Sequence, residues 1–343
     1  MNIRHVAAII GEGGDRMRRS GLGDRAVEIT ELSFGAAAIG NLFSAVEPER
    51  AAAAVDAAWD VGIRYFDTAP HYGLGLSEHR LGEALRRRPR DAYTLSTKVG
   101  RVLDPLPPEQ TVASYGLSEG FAVRATHRRR WDFSAAGVRR SIEDSLDRLG
   151  LDRIDIAYLH DPDDHAEAAF GEAYPELEKL RAEGVVGAIG AGMNQTAMLT
   201  RFVRDTDVDV VLCAGRFTLL DQAALTDLLP AAAARGRSVV VGGVFNSGLL
   251  ADPRPGATYD YATAPLNLLD RALRLKGVTE AHGVPLRAAA LHYPLTHPAV
   301  AGVLVGTRSP DEVRDAAAQL AREIPDALWD DLRDRSLLPG DGH

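Results

Sequence analysis

GIRYFDTAPHYGLGLSEHRLG, residues 62–82, reads as one complete strand–loop–helix unit. The apolar run to Phe66 is a short strand ending in Asp67, the glycine-rich loop carries Tyr72, and Ser77 opens the helix that follows. A carboxylate at the carboxyl end of a strand, with a phenol close behind it among glycines, points to a site rather than a core. Downstream, Lys98 closes the strand-like YTLSTK and His160 closes IDIAYLH. An acid, a phenol, an amine and an imidazole therefore stand at or just beyond the ends of three successive strands.

Working outward, strand-like runs recur at 32–40, 63–68, 93–99, 154–160, 186–191, 209–215, 238–244 and 301–307. Each is short, apolar at most positions and bounded by turn residues, as strands buried on both faces must be. Helical patterns lie between them. Glu47 to Val61 is Ala-rich with an apolar stripe, and Ser134 precedes AAGVRRSIEDSLDRL with Gly150 in the favoured stop position. Residues 173–184 and 221–235 form further helices. Ser309, Pro310 and Glu312 make a capping box with proline at the first helical position. Eight strands alternating with helices predict a single closed (β/α)8 TIM barrel over residues 17–343, preceded by an extension at 1–16. Insertions at 101–133 and 251–284 are too long for plain loops; the first is expected to form a lid, the second to add a helix, and the tail from Pro325 another.

Composition narrows the function. A net charge of −9 argues against nucleic acid as a partner. The single cysteine, Cys213, excludes an internal disulfide and fits a reducing, cytoplasmic setting. No apolar run reaches the ~20 residues of a membrane span, and the N-terminus lacks the h-region of an export signal.

In a (β/α)8 barrel the loops after the strands share one face, so Asp67, Lys98 and His160 converge there and Tyr72 leans over the same mouth. A phenol titrates near ~10, but an ammonium beside it favours the phenolate, and a carboxylate behind the ammonium keeps that charged and aimed. An imidazole can orient a substrate oxygen. Such a set moves a proton at oxygen while a hydride moves at carbon, which calls for a nicotinamide cofactor.

The chain resembles the aldo-keto reductases from about Met17 to its last helix. MRRSGLGDRAVEITELSFGAAAIGN resembles the family's opening hairpin and first strand, and GIRYFDTAPHYGLGLSEHRLGEAL its long signature. The resemblance places Asp67 and Tyr72 at the catalytic positions, with Lys98 from LSTKVG and His160 from YLHDPD, and Tyr72 as general acid/base. It implies NAD(P)-dependent reduction of aldehydes and ketones or oxidation of sugars. LCAGRFTLLDQ, VGGVFNSGLL and IGAGMNQ resemble the aldose 1-dehydrogenase branch, whose members act on L-fucose, D-threo-aldoses, L-galactose or pyridoxal. That implies oxidation of the anomeric carbon of a free, L-fucose-like aldose to a lactone.

The cofactor contacts depart from the family pattern. Asn194 stands in for the usual Ser-Asn pair after strand five, which gives way to Gly192 and Met193. Cys213 or Ala214 replaces a glutamine, and Gly242 or Gly243 the stacking aromatic, with Phe245 as the substitute ring. At the phosphate end, VGTRSPDEV supplies Gly306, Thr307, Arg308 and Glu312. Gly306 takes the position of a lysine in NADP-preferring members and Glu312 that of an arginine. A carboxylate there repels a 2′-phosphate and favours NAD over NADP, although Arg308 can pair with a phosphate and the helix start suits an anion in either case. Trp131, on the first insertion, is a candidate to stack on the substrate.

Other readings stay open at this point. The chain can act as an NADPH-dependent reductase of a biosynthetic aldehyde or ketone, as a non-catalytic cofactor-sensing barrel, or as a Schiff-base lyase through Lys98. His71, Asp161, Asp163 and His165 are metal-ligand types, the last three close together in HDPDDH, but loop carboxylates are normally solvated and no metal is expected. Glu312 serves equally as a helix cap, and Cys213 as a small buried hydrophobe. RRRPR (86–90) and HRRRW (127–131) read as solvated surface, the second with the option of approaching an acidic ligand.

Overall fold

The computed structural model describes residues 17–111, 116–260 and 262–340; the expected extension at 1–16 lies outside the described residues. The barrel strands are β1 (Leu32–Gly35), β2 (Tyr65–Asp67), β3 (Thr94–Val99), β4 (Ile154–His160), β5 (Val186–Met193), β6 (Val210–Ala214), β7 (Ser238–Gly242) and β8 (Val300–Gly306). All are parallel, each pairs with its sequence neighbour, and β8 closes on β1. Around them run α1 (Pro48–Asp60), α2 (Leu76–Leu85), α3 (Ala135–Leu149), α4 (Tyr174–Ala182), α5 (Thr196–Asp205), α6 (Leu228–Ala234), α7 (Leu266–Ala281), α8 (Leu286–Leu295), α9 (Pro310–Leu320) and α10 (Asp326–Asp334). The (β/α)8 expectation holds, strand by strand. No helix among the described residues is long and apolar enough to cross a membrane.

The two faces of each strand do different work. Outward residues such as Phe66, Leu95, Leu159 and Ile189 pack under the helices in the main core. Inward residues such as Tyr65, Ile156, Tyr158, Val210 and Val240 fill the barrel, together with Leu22 and Ile29 from the antiparallel hairpin Arg19–Gly21/Glu28–Thr30. That hairpin is tied to the amino-terminal end of the sheet by Gly23 N donating to Ser238 Oγ (3.1 Å) and by Arg25 on Asp209 (2.6 Å). The floor is thereby sealed and the carboxyl end left as the mouth.

Local signals placed most helix ends. Ser134 Oγ accepts from Gly137 N, and Gly150 takes the left-handed conformation (φ 63°). Ser309 Oγ accepts from Glu312 N. Three expectations need correction. Ser77 does not open α2: Gly75 does, at φ 86°, while the Ser77 hydroxyl is buried against Thr68 Oγ1 and the Ala36 carbonyl. The helix at 221–235 shortens to α6, because Thr218 Oγ1 accepts from the amides of Leu220 and Asp221 and holds a turn ahead of it. The basic runs are not simply solvated either. Arg88 lies over Trp59 and pairs with Asp56, and the Arg129 side chain is only 6% exposed.

Gly82, at the end of the opening stretch, lies where α2 meets the last turn of α3. A Cβ there strikes the Leu149 backbone carbonyl, which cannot rotate away. Gly82→Ala is therefore expected to cost at least about 2 kcal/mol, read as a lowered midpoint in denaturant at unchanged m-value.

Candidate active site

Asp67 sits at the end of β2, 1% exposed, and its Oδ2 accepts from Lys98 Nζ at 2.6 Å. Lys98, at the mouth end of β3, also donates to the Thr68 carbonyl (3.0 Å) and to the Tyr72 phenol. The three protons of the ammonium are thus all spoken for. Burial by itself pushes the Lys98 ammonium down, but the Asp67 carboxylate and the Tyr72 phenol outweigh it and hold it well above the ordinary lysine value. Behind the strand, fully buried Glu78 of α2 accepts from Thr97 Oγ1 (2.8 Å) and pairs with Arg148 of α3 (2.6 Å), so β3 is gripped from both faces.

Tyr72 reaches this cluster because its loop turns back sharply. Gly73, Leu74 and Gly75 all take positive φ, and a Cβ on Gly73 would strike the Gly40 carbonyl. The His160 ring lies 5.8 Å from the Tyr72 ring, edge to face. Burial, then Arg101, Lys98 and His71, push His160 well below the ordinary imidazole value, so it is neutral, and its Nδ1 is buried without a partner. The structure therefore brings Asp67, Tyr72, Lys98 and His160 together at the mouth.

The insertion at 101–133 covers one side of that mouth. Its strands Arg101–Pro105 and His127–Trp131 pair antiparallel, and Phe121 from its tip stacks on Tyr72 (5.9 Å, 28°). Sequence reasoning missed two arginines here and read His71 only as a metal-ligand type. His71 packs between the rings of Tyr72, Phe121 and His160. Arg101 contacts both His71 ring nitrogens (3.3 and 3.4 Å) and pairs with Asp161, while Trp131 lies over its guanidinium at 4.1 Å. Arg129 donates to the His71 carbonyl (3.1 Å). The position of His71 beside the tyrosine was the available signal; its arginine partners lie 30 and 58 positions away. Trp131 is 43% exposed at the rim and also faces Phe133 and His165.

His71 is pushed down to about 2 by burial, then Arg101, Arg129 and Lys98. With His160 it is neutral in the folded chain, whereas in the unfolded chain both take up a proton near ~6.5. Below that pH the unfolded state binds more protons, so stability falls as pH drops and is unaffected by these groups above it. Each contributes up to about 1.4 kcal/mol per pH unit. Denaturant titrations between about pH 7 and about pH 5 should show a slope of that sign, to which His127, His292 and His297, also pushed down by burial, add, and His71→Leu should remove up to about 1.4 kcal/mol per pH unit of it; an unchanged slope rejects the assignment.

The cofactor candidates fall in two places. Asn194 Nδ2 donates to the Ala214 carbonyl (3.0 Å), close to Gly215 and Gly243 at the ends of β6 and β7. Asn246 joins them: it is buried at φ 45°, donates to the Gly215 carbonyl (3.2 Å) and leaves Oδ1 unpartnered. The sequence signal for it was Asn-Ser-Gly after a strand, a left-handed turn pattern. Phe245 is half-buried against the main core. At the end of β8 Gly306 is exposed; beyond it Thr307 is buried with an unpartnered Oγ1, and Arg308 reaches Ser44 Oγ (2.8 Å). Glu312 Oε2 accepts from the Arg308 amide (2.8 Å), so it caps the start of α9. Among the described residues no group of three or more His, Cys, Asp or Glu is placed to hold a metal; Asp161 of HDPDDH is bound to Arg101 instead. Cys213 is fully buried, and burial pushes its thiol up to about 12.

Known proteins resemble this one along most of the chain. It is 48% identical over 314 residues to a D-threo-aldose 1-dehydrogenase from a Pseudomonas species, covering 91% of this chain and 95% of that protein. It is 40% identical to a pyridoxal 4-dehydrogenase from Microbacterium luteolum, covering 92% and 97% respectively. Among solved structures, an aldo-keto reductase from Bacillus halodurans in its holo form superposes with a TM-score of 0.73 at 26% identity, over 94% of this chain and 96% of that one. The family model for the aldo/keto reductases matches residues 31–335, from the first barrel strand to the last helix. With that match over a closed barrel whose mouth gathers these four side chains, the chain is an oxidoreductase and belongs to the aldo/keto reductase family.

Proposed function

We propose that this enzyme oxidises the anomeric carbon of a free, L-fucose-like aldose to a lactone with NAD(P), Tyr72 serving as the base. The observation that carries the reading is the buried Asp67–Lys98 pair with Tyr72 hydrogen-bonded to its ammonium. The names of the relatives, an aldose 1-dehydrogenase and a pyridoxal 4-dehydrogenase, support the substrate class.

The family generally uses NAD(P)H, and the residues present suit such a group. Thr307 Oγ1 and Asn246 Oδ1 are buried polar atoms without a protein partner, and polar groups so placed call for one. Thr307, Arg308, Asn194 and Asn246 would hold the dinucleotide along the ends of β5 to β8, with Gly243, Gly306 and Phe245 beside them. When bound, its nicotinamide supplies the hydride acceptor. Arg308 is already engaged with Ser44, and the exposed Glu312 carboxylate stands where a 2′-phosphate would be repelled; both favour NAD.

The protein's own part is proton handling. Lys98, held by Asp67, donates to the Tyr72 oxygen, which stabilises the phenolate and turns the phenol proton toward the mouth. Tyr72 takes the proton of the anomeric hydroxyl as the hydride leaves the carbon beneath it. His160, neutral, holds the same oxygen by a hydrogen bond rather than a charge. Trp131 offers a face for the apolar side of the sugar ring.

Purified protein with NAD or NADP and a panel of L-fucose, L-galactose, D-arabinose and pyridoxal should show reduced nicotinamide accumulating with an aldose and NAD. Turnover confined to NADPH and simple aldehydes or ketones would establish a reductase instead. Binding of dinucleotide without turnover of any substrate would leave a cofactor-sensing barrel.

A further inference from the structure

Asp67 is served from below as well as from Lys98. Alternation along the strands turns Tyr65 and Asp67 of β2, Ser96 and Lys98 of β3, and Tyr158 and His160 of β4 into the barrel. The register sets Asp67 beside Ser96, and Tyr158 beside Lys98. Ser96 Oγ lies 2.7 Å from Asp67 Oδ1, Tyr65 Oη 3.0 Å from Ser96 Oγ, and Tyr158 Oη 3.1 Å from Tyr65 Oη. All four side chains are buried, and the far end rests among Ile156, Leu22 and Ile29.

The direction of every link follows from the proton count. A carboxylate paired with an ammonium only accepts, so Ser96 donates to it. Having spent its one proton, Ser96 accepts from Tyr65, and Tyr65 in turn accepts from Tyr158. Burial raises both phenols well above their ordinary value, so they remain donors. Each hydroxyl polarises the next, and the sum falls on Asp67 Oδ1.

We propose that Tyr158, Tyr65 and Ser96 form a one-way hydrogen-bond chain that disperses the charge of Asp67 and thereby sets the pH at which Tyr72 exchanges its proton. The proposal rests on the reading of Tyr72 as the acid/base. Loss of the chain concentrates the negative charge on the Lys98 side, the ammonium is more fully compensated, and its pull on the phenolate weakens. The other groups facing Tyr72 are His160 from β4, His71 from its own loop, and the hairpin's Phe121 with Arg129 behind it; Arg101 acts on His71. The chain touches none of these. Ser96, Tyr65 and Tyr158 are positioning residues, since Asp67 and Lys98 stand between them and the mouth.

The test is an alkaline titration of tyrosinate absorbance on the full chain. Each background is measured against the same protein carrying Tyr72→Phe, so that the difference reports Tyr72 alone. Ser96→Ala should raise the Tyr72 transition by about one pH unit, Tyr65→Phe by about half a unit, and Tyr158→Phe by less. Ser96→Thr, which keeps the hydroxyl, should restore it. The two Tyr→Phe variants each remove one oxygen from an equally buried ring and carry the test should Ser96→Ala not fold. Shifts absent or equal in all variants, a shift downward, or a Tyr72 that never ionises below alkaline unfolding each overturn the proposal; a merely structural role lowers Tm without this grading. The titration needs no substrate, so an inactive wild type would reject the proposed function while the chain is still judged on its own.

Discussion

Tyr72→Phe is expected to lower kcat for aldose oxidation by about 10²–10⁴-fold, the range for losing a positioned acid/base, with KM nearly unchanged and Tm modestly lowered, because one proton of the buried Lys98 ammonium loses its acceptor. The substitution removes one oxygen and nothing else. The ring keeps its stack on Phe121 and its place under the Lys98 ammonium, 4.7 Å from Nζ to the centroid. Dinucleotide affinity should also persist, because Asn194, Asn246, Thr307 and Arg308 lie on other strands and loops. The measurement is steady-state kinetics beside dinucleotide binding by fluorescence. A residual rate within about tenfold of wild type would remove Tyr72 from the reaction, since general acid–base catalysis contributes more than that.

Asp67→Leu should be the most damaging change to stability. Lys98 is 2% exposed, and the substitution leaves its charge buried without a carboxylate, a loss of about 3–5 kcal/mol for breaking a buried pair. Ser96 Oγ loses its acceptor at the same time, which adds to the cost. Adding Lys98→Met should recover most of the loss, because an apolar pair in the same space carries no desolvation penalty. The double variant should nevertheless be inactive. Denaturant midpoints of the two single variants and the double form a cycle that measures this coupling. Recovery of activity together with stability would mean that the pair is a structural device and that the phenol works without it.

Much of this molecule was legible in order along the chain. Each of the eight strand-like runs overlaps one barrel strand, because an apolar run bounded by turn residues is a local property. The positions of Asp67, Lys98 and His160 at strand ends followed from the same reading, since alternation and strand polarity need no knowledge of partners. The helix ends at Ser134, Gly150 and Ser309 were equally local. Ser77 failed as a cap because Gly75 had already turned the chain, leaving the serine hydroxyl to face Ala36 on the preceding loop.

What the tertiary structure decided lies across the barrel rather than along it. Tyr65 meets Ser96 from 31 positions away and Tyr158 from 93, through strand registers that no single strand specifies. Arg129 reads as surface in HRRRW, yet the hairpin folds it onto the loop that carries Tyr72. The sequence by itself determined that Asp67, Tyr72, Lys98 and His160 stand at the mouth, because strand period and strand ends are set by neighbours. Only closure of the barrel decided what holds them there, since a hydrogen bond between distant strands exists only once register, twist and the sealed floor bring its two ends within reach.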